Sequence, residues 1–340
     1  MREHLGRRLM PFFKFIVAGL LVGYLWNQGK LDFAALSVLL SAPWGLLGMM
    51  FLCMLGYSLT AYRWILLLRA VRIRLPCAWG QMVTYIGIFS NLFLPGGNMA
   101  GDAVRLAYVA RCAPGHRPEA LISLFMDRVV GLYAMLVICM ASILINLDAV
   151  LRVPVLQGMA LAVFAIVLGA PPLGLLFLRL ARGNAWLQRM ISAPDPGRLA
   201  RILIRLNEII RLYGHSIGIL ILVFFLSLLA QGLLLFVLIL VGMTLGLGGV
   251  GPADQAFATV WAWIANFIPL TPGGIGVGEA AFDHICRMLE SVPSGVAYGT
   301  IFLVFRMIGI LAGLPGLPAY LFFRNDIDAI IAESEGRSPR

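Results

Sequence analysis

Two charged, glycine-rich motifs stand in otherwise apolar sequence. Pro95-Gly96-Gly97 is followed three residues later by Gly101-Asp102, and Pro272-Gly273-Gly274 is followed three residues later by Gly278-Glu279. The hydrophobic stretch after each copy carries Arg-x-x-Gly, first as Arg128 to Gly131 and then as Arg306 to Gly309. Charge within a bilayer is costly, and where it occurs it marks substrate or ion pathways. Glycine-broken segments in corresponding positions of two halves point to a transport site between those halves. A short helix is expected to start near Asn98 in the first copy and near Gly276 in the second. Unpaired N–H groups and the helix dipole at such a start attract an anion. In a membrane the obvious anion is a lipid phosphate. The alternative role for Gly96, Gly97, Gly273 and Gly274 is tight hairpin packing alone.

Arg128 falls about ten residues into its apolar stretch and Arg306 about twelve, a depth of about 15–18 Å at 1.5 Å per residue. In a hydrocarbon core about 30 Å thick, both lie near the midplane. Arginine cannot shed its charge there and needs a partner. The candidates are Asp127 or Asp102 for Arg128, and Glu279 for Arg306. A bound phosphate can exchange with such a carboxylate, because the guanidinium fork fits either. Asp102 and Glu279 are also candidates for titrating groups that couple proton entry to substrate release. Arg63 and Arg105 are expected nearer the cytoplasmic interface, where snorkelling is the default. Asn91 and Asn266 precede the two turns and are expected to cap or hydrogen-bond the hairpins.

The elements that must position these residues follow from hydropathy. With 61% hydrophobic and 12% charged residues and mean hydropathy +0.92, the chain is not a soluble globular domain. Apolar windows at roughly 10–28, 43–70, 119–147, 154–180, 215–247 and 294–323 each approach or exceed the about 20 residues that cross a bilayer. Two further regions, roughly 76–111 and 253–290, are apolar but broken by Pro-Gly-Gly. They read as re-entrant hairpins, whose irregular backbone is tolerated at depth only when buried in protein or lining a wet cavity. The expected fold is therefore an all-α polytopic membrane protein with about six spanning helices plus two re-entrant hairpins.

Loop charge orients this map. Arg2, Arg7 and Arg8 precede the first window, Arg69, Arg72 and Arg74 follow the second, and Arg111 and Arg117 follow the first hairpin. Arg179, Arg182, Arg189, Arg198, Arg201, Arg205 and Arg211 crowd the central linker, whereas 246–255 has no Lys or Arg. That bias places both termini in the cytoplasm. Three spans then separate the motifs, so the two halves sit upside-down relative to each other, as an inverted-topology repeat. Residues 1–325 form one transmembrane domain, with a first repeat at about 43–147, a second at about 215–323 and a linker at about 181–214; 326–340 is a polar tail. Within the linker, 198–213 has the spacing of an amphipathic helix on the cytoplasmic surface.

Several function classes are set aside. The formal charge of +10 is carried by arginines at the ends of apolar runs, which fits membrane topology and anionic lipid rather than nucleic acid. Cys53, Cys77, Cys112, Cys139 and Cys286 are scattered without CxxC, and the four histidines lack metal-ligand spacing. No nucleophile elbow, zinc-protease helix or phosphate-binding P-loop occurs, so no catalytic residue, metal or cofactor is assigned. Trp26, Trp44, Trp64 and Trp79 read as interfacial belt anchors.

The motifs resemble the lysylphosphatidylglycerol synthase transmembrane-domain, or flippase-like, family. The matching elements are Tyr62-Arg63-Trp64, Asn91 through Arg105, Asp127-Arg128-x-x-Gly131, Pro269 through Glu279 (Pro-Leu-Thr-Pro-Gly-Gly-Ile-Gly-x-Gly-Glu), and Arg306. Asp102 stands where the family often has Glu, which shortens reach but keeps the charge. The resemblance implies a bacterial inner-membrane protein that moves a lipid between leaflets. It also implies the membrane half alone, because the sequence ends soon after the last apolar window, without the soluble aminoacylating domain. The expected function is a non-enzymatic lipid translocase for an anionic phospholipid or polyprenyl glycolipid, using Arg128 and Arg306 with Asp102 and Glu279. The alternatives are a subunit that presents lipid to a partner biosynthetic enzyme, and an intramembrane lipid-modifying enzyme. Substrate identity and oligomeric state do not follow from the sequence.

Overall fold

The computed structural model describes residues 41–93, 98–113, 115–183, 212–214, 216–247, 249–266, 271, 274–290 and 295–319, with a few residues between 19 and 38. All regular secondary structure among them is helical. The elements are α1 (Pro43–Ala70), α2 (Cys77–Phe93), α3 (Asn98–Cys112), α4 (Arg117–Ile145), α5 (Leu147–Leu151), α6 (Pro154–Gly183), α7 (Ile217–Thr244), α8 (Pro252–Ala265), α9 (Val277–Leu289) and α10 (Tyr298–Gly313). Proline opens α1, α6 and α8, a position where its missing N–H has no intrahelical partner to lose.

Among the described residues four helices are long and apolar enough to cross a membrane: Pro43–Ala70, Arg117–Ile145, Pro154–Gly174 and Ile217–Thr244. The window expected at 294–323 yields the 16-residue apolar α10. Most of the window at 10–28 lies outside the described residues, as does nearly all of the amphipathic segment expected at 198–213. Helices α2, α3, α8 and α9 have 17, 15, 14 and 13 residues. At 1.5 Å per residue each is about 20–26 Å long, short of a hydrocarbon core of about 30 Å. They pack as two pairs, α2 on α3 and α8 on α9.

Helices α1 and α7, each of 28 residues, are the most extensively packed pair in the molecule. They run antiparallel. Arg63 bonds Ser227, Gly56 faces the Ala230 carbonyl, and Met49 and Cys53 share a cluster with Val237 and Val241. The remaining contacts are reciprocal: α4 packs on α7 while α10 packs on α1. Two apolar clusters close the ends of this arrangement. One gathers Met49, Cys53, Cys139, Val241, Phe257 and Tyr298; the other gathers Trp64, Leu67, Val109, Leu124 and Val223. The polar residues lie between them, midway along α1 and α7.

Two glycines in the motifs are needed for geometry. A Cβ on Gly101 would sit 2.2 Å from the Gly87 carbonyl oxygen, so α2 and α3 approach backbone to backbone. Gly274 has φ +72°, a left-handed conformation that disfavours side chains. Replacing Gly101 with alanine is therefore expected to destabilise the chain by about 1–3 kcal/mol. Gly158→Ala, which meets nothing within 4 Å, should be neutral or slightly stabilising. Thermal unfolding of both variants in detergent measures the difference.

Candidate functional site

After each motif an arginine meets the motif's own carboxylate, which lies on the helix that follows Pro-Gly-Gly while the arginine lies on the next one. On α4, Arg128 makes a two-pronged contact with Asp102 of α3: Nε donates to Oδ2 at 2.9 Å and Nη2 to Oδ1 at 2.8 Å. On α10, Arg306 Nε donates to Glu279 Oε1 of α9 at 2.7 Å and Nη2 to Oε2 at 3.3 Å. Glu279 Oε2 also accepts from the Gly276 N–H at 2.7 Å, and Arg306 donates to the Gly274 carbonyl at 3.1 Å. The Arg306 guanidinium further lies 5.5 Å from the Phe302 ring centroid.

Burial separates the pairs. Side chains of Arg128 and Asp102 are 40% and 27% exposed, against 11% and 0% for Arg306 and Glu279. The anion site expected at the second helix start is thus already taken by the chain's own carboxylate, in a capping box closed on Gly276. Gly96, Gly97 and Gly273 lie outside the described residues.

Beside the first pair is a network that the sequence reading placed elsewhere. Arg63 and Arg105 do not snorkel to an interface; both are 6% exposed, and Asp127 between them is 3% exposed. Arg63 Nε donates to Asp127 Oδ1 at 2.7 Å and Arg105 Nη1 reaches Oδ2 at 3.5 Å. Asp127 is therefore committed to Arg63 and Arg105, which leaves Asp102 as the carboxylate for Arg128. Trp64, expected in an interfacial belt, is instead fully buried, with the Arg105 guanidinium 5.2 Å from its ring. A buried arginine seeks a carboxylate and an aromatic face once the interface is out of reach.

The second repeat has no such network at the matching positions. Arg63 and Val237 occupy the same position in the two 28-residue helices. Arg105 follows Asp102 by three residues as Phe282 follows Glu279, and Asp127 precedes Arg128 as Phe305 precedes Arg306. Phe282, Phe302 and Phe305 stack there, with centroid separations of 5.6 and 6.1 Å. Ion cluster on one side and aromatic cluster on the other fill equivalent space.

A cavity of about 370 Å³ lies between the repeats. Arg128 and Arg306 both line it, together with Arg63, Asn91, Asn266, Tyr57, Gln231 and Trp263. Asp102, Arg105 and Glu279 stand behind this lining, holding or flanking the arginines. Asn91 Oδ1 accepts from the Gly101 N–H at 2.7 Å and so ties α2 to α3. Asn266 faces Gly274 and Gly278 at the second turn, but its Oδ1 is buried without a hydrogen bond.

Two cavity residues were missed in the sequence. Tyr57 Oη donates to the Gly309 carbonyl at 3.3 Å, and Gln231 Nε2 donates to the Gly131 carbonyl at 2.9 Å. Each is the fifteenth residue of its helix, α1 or α7, and each reaches the arginine-bearing helix of the other repeat. The pairing emerges only once the helix starts at Pro43 and Ile217 are known.

These burials set an order of sensitivity. Asp127→Asn leaves two buried guanidiniums without a carboxylate and is expected to lower stability by about 3–5 kcal/mol. Asp102→Asn acts on a half-exposed pair and should change stability by no more than about 1 kcal/mol. Unfolding midpoints of the two variants in detergent test this ranking.

No curated protein and no solved structure matches the chain. The family model for the lysylphosphatidylglycerol synthase TM region matches residues 12–316, which includes both motifs, both arginine pairs and the cavity between them. The chain therefore belongs to the lysylphosphatidylglycerol synthase transmembrane-region family.

Proposed function

We propose that this chain is a lipid translocase of the bacterial plasma membrane, with both termini cytoplasmic, that passes a phosphate-bearing headgroup through the central cavity. The observation that carries this reading is a cavity lined by Arg128 from one repeat and Arg306 from the other. Planar guanidinium forks bind phosphate oxygens in the same two-pronged way that they bind a carboxylate. A headgroup phosphate would displace Asp102 from Arg128 first, because that pair is the more exposed. Arg63, Arg105, Arg128 and Arg306 face Asp102, Asp127 and Glu279 in and around the site, leaving one positive charge for an anionic headgroup.

Alternating access follows from the pairing of the halves. Antiparallel α1 and α7, with reciprocal packing of α4 and α10, support an inverted-topology repeat in which the short helix pairs are re-entrant hairpins. Rocking of one repeat against the other about the α1–α7 contact would open the cavity to each leaflet in turn. The translocation step itself needs no covalent chemistry.

In proteoliposomes carrying a fluorescent anionic phospholipid, leaflet exchange read by dithionite quenching should fall to the protein-free rate in the variant Arg128→Ala plus Arg306→Ala. Parental exchange in that variant would remove both arginines from the mechanism.

A further inference from the structure

The turn after α1 carries an arginine where the backbone favours glycine. Arg72 has φ +67°, and its N–H donates to the Arg69 carbonyl at 3.0 Å while the Ile73 N–H donates to the Leu68 carbonyl at 2.9 Å. This pair of bonds is the Schellman helix ending, whose left-handed residue is usually glycine. A side chain there is strained, and strain of this kind persists only when the surroundings over-determine it. The surroundings are apolar: Leu68, Val71, Ile73 and Leu75 are all buried in one cluster. Between them Arg72 and Arg74 project outward.

The turn also brings Arg74 back towards Arg69, and the two line a cavity of about 550 Å³ with Leu75 and Pro76. Arg69 Nη2 donates to Cys77 Sγ at 3.2 Å, but among the described residues no carboxylate pairs with Arg69, Arg72 or Arg74. Three guanidiniums within six residues, none neutralised, repel one another until an anion sits among them. Guanidinium geometry favours phosphate. The neighbouring aromatic pair indicates where that phosphate comes from. Trp79 is 41% exposed with its ring 5.8 Å from that of Tyr108, and half-exposed tryptophan is characteristic of the headgroup level of a bilayer.

We propose that Arg69, Arg72 and Arg74 hold the phosphate of an anionic phospholipid at the end of α1, as a lipid site separate from the central cavity. It shares no lining residue with that cavity and does not depend on the translocase reading. Arg72 does not line the cavity with Arg69 and Arg74; at its strained position it adds positive charge beside that pair.

Native mass spectrometry of the detergent-purified full chain, titrated with phosphatidylglycerol or phosphatidylcholine, tests this. Running each variant also in the R128A/R306A background removes the contribution of the central cavity. One phosphatidylglycerol should be retained in preference to phosphatidylcholine. R72G should keep or raise the unfolding midpoint while weakening that preference about fivefold, and R69Q/R74Q should weaken it about 25-fold, at about fivefold per arginine. A purely structural turn would instead give a more stable R72G with unchanged lipid retention, which overturns the proposal. Equal binding of phosphatidylcholine would also overturn it, as would displacement of phosphatidylglycerol by inorganic phosphate, which would mark a site for soluble anions.

Discussion

Arginine cannot be neutralised within a bilayer, and four of them are gathered around the central cavity: Arg63 and Arg128 on membrane-length helices, Arg105 and Arg306 on shorter ones. Each must be met by a carboxylate, an aromatic face or a ligand. That requirement organises the molecule. The short helices α3 and α9 deliver Asp102 and Glu279 to Arg128 and Arg306. Asp127 serves Arg63 and Arg105 together. Apolar clusters seal both ends of the polar layer, leaving a cavity where the two repeats meet.

The repeats share a plan but differ in how they are stabilised. Tyr57 and Gln231 make the same cross-repeat bond from the same helix position, so the contact between halves is nearly symmetric. Around it, the positions of Arg105 and Asp127 in the first half correspond to Phe282 and Phe305 in the second, which keeps the buried Arg306–Glu279 pair beside stacked rings. Stacked rings pack without desolvation of charge, and Arg306 is the more enclosed of the two arginines. The ionic side keeps Arg128 half open. On the proposed translocase function, such unequal partners favour headgroup exchange, because two equally tight ion pairs would resist it at both ends.

Much of this could be read from residue order. The expected carboxylate for Arg306 and the helix starts near Asn98 and Gly276 reappear in the structure. Those features are local or repeated, so spacing alone reveals them. Asp127 was harder, because it adjoins Arg128 in sequence yet turns towards Arg63, 64 residues away. Arg63, Arg105 and Trp64 were misplaced for a related reason. Hydropathy locates a residue along a helix but does not show whether a neighbouring helix offers a partner that makes snorkelling unnecessary. The antiparallel crossing of α1 and α7 decides that question, and it is a tertiary fact.

The central claim is that lipid phosphate replaces a carboxylate as the partner of a cavity arginine. A structure of the protein in nanodiscs containing anionic phospholipid tests it most directly. The account predicts headgroup density in the central cavity, with phosphate oxygens at hydrogen-bond distance from Arg128 and Asp102 moved away from it. Lipid density confined to the outer surface, with both ion pairs intact and the cavity filled only by water, would contradict it.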